Sequence, residues 1–367
     1  MTRFWVGGYG PDMEGDAEGI GFLSVDEGRG PSTLAVRGVA AQTPSPSWLA
    51  GHPTLDVVYA ALEGEGTVGA FMRSGEGALA PLGPVLPVGE AVCHLAVSRD
   101  GRYLIASSYG DGKVTRLGLG SDGRLVAAPV DKAAALRAAL FGADESEDDG
   151  TDPLAASDPY PTPLGEEPRV SHAHAAVFLP DGRIATTDLG FDLVRIWRPT
   201  ASGLSVDHEV VLPRGTGPRH MVMHLSGHLH VVTEYSGEVF TLTVGEDAIW
   251  RLASATPVSA VLQVGTDFPA ELSRSRDGAT LYAGIRGSNT IAALRVHGDG
   301  SHVEPFALAD SGVDWPRHHL LHEGVLLVSG QRSGTISAID VDERTGAPRD
   351  VRHTTAAPTP THLLLAR

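Results

Sequence analysis

The sequence predicts an all-β fold, a seven-bladed β-propeller with four antiparallel strands in each blade. Three observations predict it: a phrase that recurs along the chain, a copy of that phrase split between the two ends, and a composition rich in turn residues. The chain has 45 glycines and 25 prolines among 367 residues, which favours many short strands over long helices. We expect the whole chain, residues 1–367, to form a single propeller domain.

The recurring phrase consists of an apolar pair, a glycine-containing turn and a second β-rich run that ends in a polar residue. Its copies begin at Pro46, Val92, His172, Pro218, Pro269 and Pro316. Four short strands in a unit of about 45 residues are typical of one propeller blade. The six copies therefore predict six blades.

The two ends of the chain supply a seventh blade. PTHLLLAR, from Pro360, begins a further copy, and RFWVGGYG, GIGFLSVD and TLAVRGVA near the N-terminus resemble the second, third and fourth strands of the other copies. We expect the C-terminal strand to join the three N-terminal strands and close the ring, which hides sheet edges that would otherwise invite aggregation.

An insertion of about residues 131–170 separates the second and third copies. DKAAALRAALFGA has the alanine and leucine content of a short helix. The following DESEDDGTDPLAASDPYPTPLGEEP is acidic and proline-rich, and it is expected to form a surface loop. A lid over the channel is the other interpretation of this loop.

The composition limits the class of partner and compartment. A net charge of −17 excludes general nucleic-acid binding, which needs a basic surface. No apolar run is long enough for a membrane span. One cysteine, Cys93, and no leader-like N-terminus predict a cytoplasmic protein. A pocket inside an acidic protein can still be locally basic.

The repeat predicts two rings of side chains at one mouth of the central channel, because the first two strands of each blade form an antiparallel hairpin. The first ring, at the start of the first strand, comprises Trp48, His94, His174, His220, Glu271, His318 and His362. The second ring, at the end of the second strand, comprises Tyr9, Glu63, Tyr109, Asp188, Glu234, Arg286 and Gln331. Arg219 and Arg317 stand beside the first ring.

The hairpins also predict which members of the two rings meet. Arg219 is expected to contact Glu234. The same geometry pairs His174 with Asp188 and Glu271 with Arg286. His220 is expected to point away from Arg219, because neighbouring side chains alternate along a strand.

Four motifs in order carry a family resemblance: HAHAAVFLPDGRIATTDLG, GPRHMVMH, TEYSG and LYAGIRGSNTIAALRV. They resemble the seven-bladed propeller lactonase family, which includes bacterial 6-phosphogluconolactonases and fungal carboxymuconate cyclases. The resemblance covers nearly the whole chain outside the insertion. It implies an active site of His174, Arg219, Glu234 and Arg286.

Lactone hydrolysis needs a base that activates water and donors that stabilise the oxyanion. His174 or Glu234 is predicted as the base, and Arg219 and Arg286 as the anion binders. The other side chains predicted to contact the substrate are His94, Asp188, His220, Glu63, Tyr109, Arg317 and Gln331. Cys93 is predicted to be a small buried residue, and Asp192 a structural turn residue.

The expected substrate is a small anionic lactone, with a sugar-phosphate lactone first. No cofactor is expected, and the absence of a compact motif such as HExxH favours a site without metal. One alternative is a carboxymuconate cyclase-like lyase or cycloisomerase, in which the same base handles a carbon-bound proton. Another is a non-catalytic binding module, because the fold alone implies no function. A closed propeller is expected to be a monomer or weak homo-oligomer.

Overall fold

The computed structural model describes residues 2–26, 33–127, 157–163, 165–201 and 203–367. These residues form 29 strands in seven antiparallel sheets. Two single-turn 3-10 helices, Pro11–Met13 and Glu63–Glu65, are the helices of this part of the chain. No helix found in the described ranges is long and apolar enough to cross a membrane. The helix predicted at 131–143, and the loop that follows it as far as 156, lie outside the described residues.

The strands fall into blades in chain order. Blade 1 contains β1 (Thr2–Gly8), β2 (Gly19–Asp26), β3 (Thr33–Gln42) and the C-terminal β29 (Pro360–Leu365). Blade 2 contains β4 (Pro46–Gly51), β5 (Val57–Leu62), β6 (Thr67–Arg73), β7 (Leu79–Pro81) and the short β8 (Leu86–Pro87), which also pairs with β6. Blade 3 contains β9 (Val92–Val97), β10 (Tyr103–Ser108), β11 (Val114–Leu119) and β12 (Leu125–Val126).

The remaining blades are regular. Blade 4 contains β13 (Ala173–Phe178), β14 (Ile184–Asp188), β15 (Leu193–Pro199) and β16 (Leu204–Val211). Blade 5 contains β17 (Pro218–Met223), β18 (Leu229–Thr233), β19 (Glu238–Val244) and β20 (Trp250–Pro257). Blade 6 contains β21 (Phe268–Arg274), β22 (Thr280–Arg286), β23 (Thr290–His297) and β24 (His302–Asp310). Blade 7 contains β25 (Pro316–His322), β26 (Val325–Gly330), β27 (Thr335–Val341) and β28 (Pro348–Ala356).

The ring closes through the two ends of the chain. The C-terminal β29 pairs antiparallel with β1, with Leu363 opposite Val6 and His362 opposite Gly7. β29 is thereby the innermost strand of blade 1, in the order β29-β1-β2-β3. The predicted seven-bladed all-β propeller and its split blade are confirmed.

The apolar core lies between the blades. The described residues form seven buried clusters, and each cluster joins one pair of neighbouring blades. Ile20 of blade 1, for example, shares a cluster with Leu49 and Leu62 of blade 2. Because neighbouring blades cover both faces of each sheet near the axis, inner strands such as β5 and β22 are buried on both faces.

A β-bulge recurs where the innermost strands begin. In β17 the register shifts between Pro218 and His220, so Arg219 is the extra residue. The same shift makes Arg317 the extra residue of β25 and Cys93 that of β9. A bulge re-aims side chains at a strand end. Here it separates the extra residues, which face the channel mouth, from the residues that follow them, which pack inside the channel.

Candidate active site

All seven blades contribute to a cavity of about 250 Å³ at one mouth of the channel. Its lining residues are Tyr9, Glu63, Cys93, Tyr109, His174, Arg219, Glu234, Arg286 and Arg317. The arginines and histidine come from bulges or strand ends, whose backbone the sheets hold in place. The cavity thus brings together the four residues that the resemblance implies, along with Glu63, Tyr109 and Arg317.

Glu234 lies between two arginines. Its Oε2 is 2.9 Å from Arg219 Nε and 2.8 Å from Arg286 Nη2. The first contact is the one predicted from the hairpin of blade 5, and the second crosses from blade 5 to blade 6. Burial lowers the pKa of Arg219, and it lowers the pKa of Arg286 to about 10. Arginine keeps its charge in proteins at neutral pH even when buried.

A second polar group occupies another part of the cavity wall. The Tyr9 hydroxyl donates a hydrogen bond of 3.0 Å to Glu63 Oε1. Arg317 stacks over the Tyr9 ring at 5.0 Å and donates from Nη1 to Gln331 Oε1 at 3.3 Å. Gln331 thus supports Arg317 and is not itself part of the cavity lining.

His174 is buried in the bulge of β13, with 5% of its surface exposed. Its Nδ1 is buried and has no hydrogen-bond partner in the described part of the chain. Burial first, and then the charge of Arg219, hold the pKa of His174 well below its usual range. The imidazole is therefore neutral at pH 7, and it binds a proton less readily than an exposed histidine does.

Cys93 also faces the cavity, but its thiol is not activated. Burial raises the pKa of Cys93 to about 12. Its sulfur lies 3.7 Å from the Ser107 carbonyl oxygen and 3.6 Å from the His174 carbonyl oxygen. A protonated, buried thiol of this kind is a packing residue, which agrees with the sequence interpretation.

Blade 4 departs from the predicted register by one residue. Its first strand begins at Ala173, opposite Asp188, where blade 5 has Pro218 opposite Thr233. The equivalent of Glu234 is therefore Leu189, and His174 is equivalent to Arg219. The repeat in the sequence begins at His172, but the strand begins one residue later.

Asp188 consequently does not line the cavity, and no contact joins it to His174 among those found in the described residues. Its Oδ1 accepts hydrogen bonds from the backbone N–H groups of His172 and Phe191, each at 3.0 Å. It is a turn-forming carboxylate. Asp192 has a similar role, because its carboxylate accepts from the N–H groups of Gly215 and Gly217.

The rest of the predicted first ring packs inside the channel as an axial cluster, which comprises Trp48, His94, His220, Glu271, His318 and His362. Trp48 stacks against His362 at 4.1 Å and His94 at 4.3 Å between ring centroids. His220 Nδ1 lies 3.5 Å from Glu271 Oε1. The predicted pair of Glu271 with Arg286 is wrong, because Arg286 turns to Glu234.

Burial disfavours the charged forms of the side chains in the axial cluster. Burial lowers the pKa of His94 to about 3 and holds that of His220 well below its usual range. Burial also raises the pKa of Glu271 well above its usual range. Neither His94 nor His220 belongs to the cavity lining, contrary to the expectation that both would contact substrate. The residue after each bulge points along the channel axis instead.

Trp315 is a site residue that the sequence interpretation missed. Its ring centroid lies 5.3 Å from the guanidinium carbon of Arg286 and 3.4 Å from that of Arg332. Trp315 has φ +63°, a strained conformation for an aromatic residue. The sequence feature that could have indicated Trp315 is its position directly before Pro316, where blade 7 begins.

The residues described here contain no group of three or more His, Cys, Asp or Glu side chains arranged to hold a metal ion. The cavity lining offers arginines, carboxylates, an imidazole and phenols. Such a set can bind an anion, stabilise an oxyanion and move a proton.

Comparisons with known proteins identify a matching family and similar proteins. The family model "Lactonase, 7-bladed beta-propeller" matches residues 3–365. A 6-phosphogluconolactonase of Bacillus subtilis strain 168 is 25% identical over 376 aligned positions, which cover 98% of this chain and 97% of that protein.

Two solved structures share the fold over the full chain. A protein from Lactobacillus plantarum superposes with a TM-score of 0.83 at 22% identity, covering 100% of this chain and 99% of its own. The periplasmic gluconolactonase of Pseudomonas aeruginosa superposes with a TM-score of 0.81 at 20% identity, with the same coverage. The chain belongs to the lactonase family of seven-bladed β-propellers.

Proposed function

We propose that this protein hydrolyses the ring ester of a small anionic sugar lactone, with 6-phosphoglucono-δ-lactone as the first substrate to test. The Bacillus subtilis relative is named 6-phosphogluconolactonase, and the alignment with this chain covers 97% of it. That likeness supports the reaction class, and the charges in the cavity support an anionic substrate.

The observation that carries the proposal is the surplus of positive charge in the cavity. Three arginines face two carboxylates there, whereas the whole chain has a net charge of −17. A locally basic cavity in an acidic protein selects anions by focusing the field of its own charges. A phosphate or carboxylate on the lactone would meet this surplus through paired hydrogen bonds.

His174 is the proposed base. It is neutral, it lines the cavity, and Arg219 is the charged neighbour with the largest effect on it. In the proposed reaction it takes a proton from water, and the water oxygen adds to the lactone carbonyl carbon. The ring C–O bond then breaks, and the proton returns from His174 to the ring oxygen to give the open hydroxy acid. The negative charge of a bound substrate would offset the positive charge of Arg219 and so raise the pKa of His174 toward its usual range.

Glu234 is proposed to position the arginines rather than to act as the base. Its Oε2 already contacts both guanidinium groups. Arg219, which is 4% exposed and lines the same cavity as His174, is suited to the oxyanion that develops on the carbonyl. Arg286, braced by Trp315, is suited to the anionic substituent of the substrate.

The test follows the opening of freshly prepared 6-phosphoglucono-δ-lactone against its spontaneous rate. We expect the wild type to accelerate opening, and Arg219→Ala to lose at least about 10²-fold, the usual loss when an oxyanion donor is removed. Arg195→Ala is the matched control. Arg195 is also buried, with 2% of its surface exposed, but it does not line the cavity. Its Nε pairs with Glu209 Oε1 at 2.7 Å. A wild type that gives no acceleration would remove the proposal.

Product analysis separates hydrolysis from lyase or cycloisomerase chemistry. Hydrolysis in H₂¹⁸O places one ¹⁸O atom in the carboxylate, whereas proton transfer at carbon incorporates none. A carboxylate without label above the spontaneous background would favour the lyase alternative.

A further inference from the structure

Glu63 has a carboxylate oxygen that no protein group satisfies. The residue is 7% exposed and lies at the cavity. Its Oε1 accepts from the Tyr9 hydroxyl, but its Oε2 is buried and has no hydrogen-bond partner in the described residues. A buried charged acceptor without a donor is costly, so this oxygen calls for an explanation.

Arg317 does not supply the missing hydrogen bond. Its Nη2 lies 4.0 Å from Glu63 Oε2, beyond hydrogen-bond distance. Gln331 and the face of the Tyr9 ring hold the guanidinium in that place. The arrangement therefore keeps Arg317 near enough to offset the charge of Glu63 and too far to occupy its second oxygen.

Glu234 shows the contrast. Its Oε2 lies within 2.9 Å of two guanidinium groups. Glu63 Oε2, in the same cavity wall, is buried and receives no hydrogen bond from the described residues. The buried oxygen of Glu63 is therefore the one that a ligand donor would satisfy.

The backbone and Tyr9 hold the Glu63 carboxylate in place. Glu63 begins a single 3-10 turn at the end of β5, and its N–H donates to the Ser45 carbonyl at 3.1 Å. Burial raises the pKa of Tyr9, so the phenol stays protonated and continues to donate to Oε1. Both features keep the carboxylate fixed in the cavity wall, as a selective site requires.

We propose that Glu63 Oε2 accepts a hydrogen bond from a hydroxyl group of the bound lactone, and that it selects a polyhydroxylated ring over an anionic ring without hydroxyls. The inference rests on the proposed function and assigns a specificity-determining residue to the same cavity. A ligand with no hydroxyl would leave the buried oxygen unpaired, and a ligand carboxylate at this point would be repelled.

Calorimetric binding of two product-like ligands tests this without turnover. The probes are 6-phosphogluconate and 6-phosphohexanoate, which share the chain length, phosphate and carboxylate but differ in the hydroxyls. A hydrogen bond to a charged group predicts a preference of about 10–100-fold for 6-phosphogluconate in the wild type. Glu63→Ala should reduce the preference to within about three-fold, chiefly by weakening 6-phosphogluconate.

Two further variants serve as controls. Glu65→Ala removes an exposed carboxylate from the same turn and should leave the preference unchanged. Glu63→Gln keeps the shape and removes the charge, so it should give an intermediate preference if Glu63→Ala fails to fold. Thermal melting of each variant shows whether it is folded.

The outcomes separate this inference from the proposed function. Equal affinity of the wild type for the two ligands, absence of binding, or a preference unchanged in folded Glu63 variants would overturn it. A Glu63-dependent preference in a protein that does not accelerate lactone opening would support hydroxyl recognition and remove the hydrolase proposal. Accelerated opening with a preference independent of Glu63 would remove this inference alone.

Discussion

Arg286 Nη2 lies 2.8 Å from Glu234 Oε2, so an ion pair joins blade 6 to blade 5 at the channel mouth. Since Glu234 also contacts Arg219, one carboxylate positions two cationic side chains. Glu234→Gln should therefore lower kcat/KM for the lactone by about 10²–10³-fold, because both anion-binding groups lose their alignment. Initial rates on the phosphorylated lactone measure the loss.

The matched control for this change is Glu209→Gln. Glu209 pairs with buried Arg195 at 2.7 Å, and its side chain is 28% exposed, against 18% for Glu234. Glu209→Gln leaves one buried arginine without its anion, and we expect it to reduce the free energy of unfolding by about 2 kcal/mol, less than for a fully buried pair. Glu234→Gln leaves two such arginines and should cost at least as much. Equal losses of activity in the two variants would show that stability, not the site, controls the rate.

Trp315 should affect substrate binding more than chemistry. It stacks on Arg286, and a cation–π contact of this kind contributes about 1 kcal/mol. Trp315→Ala should raise KM for the phosphorylated lactone about five-fold and leave kcat within about two-fold. Trp315→Phe should recover most of the loss. A fall in kcat with unchanged KM would mean that Arg286 acts on the reacting carbonyl instead.

The fold could be predicted because each blade of a propeller has a similar sequence pattern, which recurs along the chain. The copies from Pro46 to Pro316 and the split blade at the termini define both the number of blades and their closure. The contact of Arg219 with Glu234 could be predicted for the same reason, since hairpin geometry places the two strand ends side by side.

The positions of the remaining ring residues could not be predicted from the repeat. A bulge adds one residue to one strand, and a shift of one residue moves a side chain to the opposite face. His174 therefore faces the cavity while His94, which had seemed equivalent, joins the axial cluster. The pair of Arg286 with Glu234 crosses between blades, and a repeat within single blades carries no signal for it.

The axial cluster should make the protein sensitive to acid. Burial lowers the pKa of His94 to about 3 and lowers the pKa of His362 well below the usual value. In the unfolded chain a histidine takes up a proton near pH 6.5. Below that pH the unfolded state binds more protons, so stability falls with pH down to the folded pKa. Each such histidine contributes up to about 1.4 kcal/mol per pH unit.

His362→Phe tests this origin of the acid sensitivity. The ring can still stack on Trp48, which lies 4.1 Å away, and Nδ1 of His362 has no hydrogen-bond partner among the described residues to lose. Urea unfolding between pH 7 and pH 5 should show an average slope smaller by about 1 kcal/mol per pH unit, because the unfolded histidine is only partly protonated over this range. His302→Gln, at an exposed position, should leave the slope as in the wild type. An unchanged slope in His362→Phe would place the acid sensitivity elsewhere.

Closure of the ring should depend on the buried apolar contacts of the C-terminal strand. Leu363 is 1% exposed and packs in the cluster between blades 7 and 1, whereas Leu365 on the same strand is 39% exposed. Leu363→Ala should lower the free energy of unfolding by about 3 kcal/mol, because it leaves a cavity at the seam. Leu365→Ala should cost less than about 1 kcal/mol. Urea denaturation of both variants measures the difference, and similar small effects would mean that backbone pairing of β29 with β1 alone holds the ring closed.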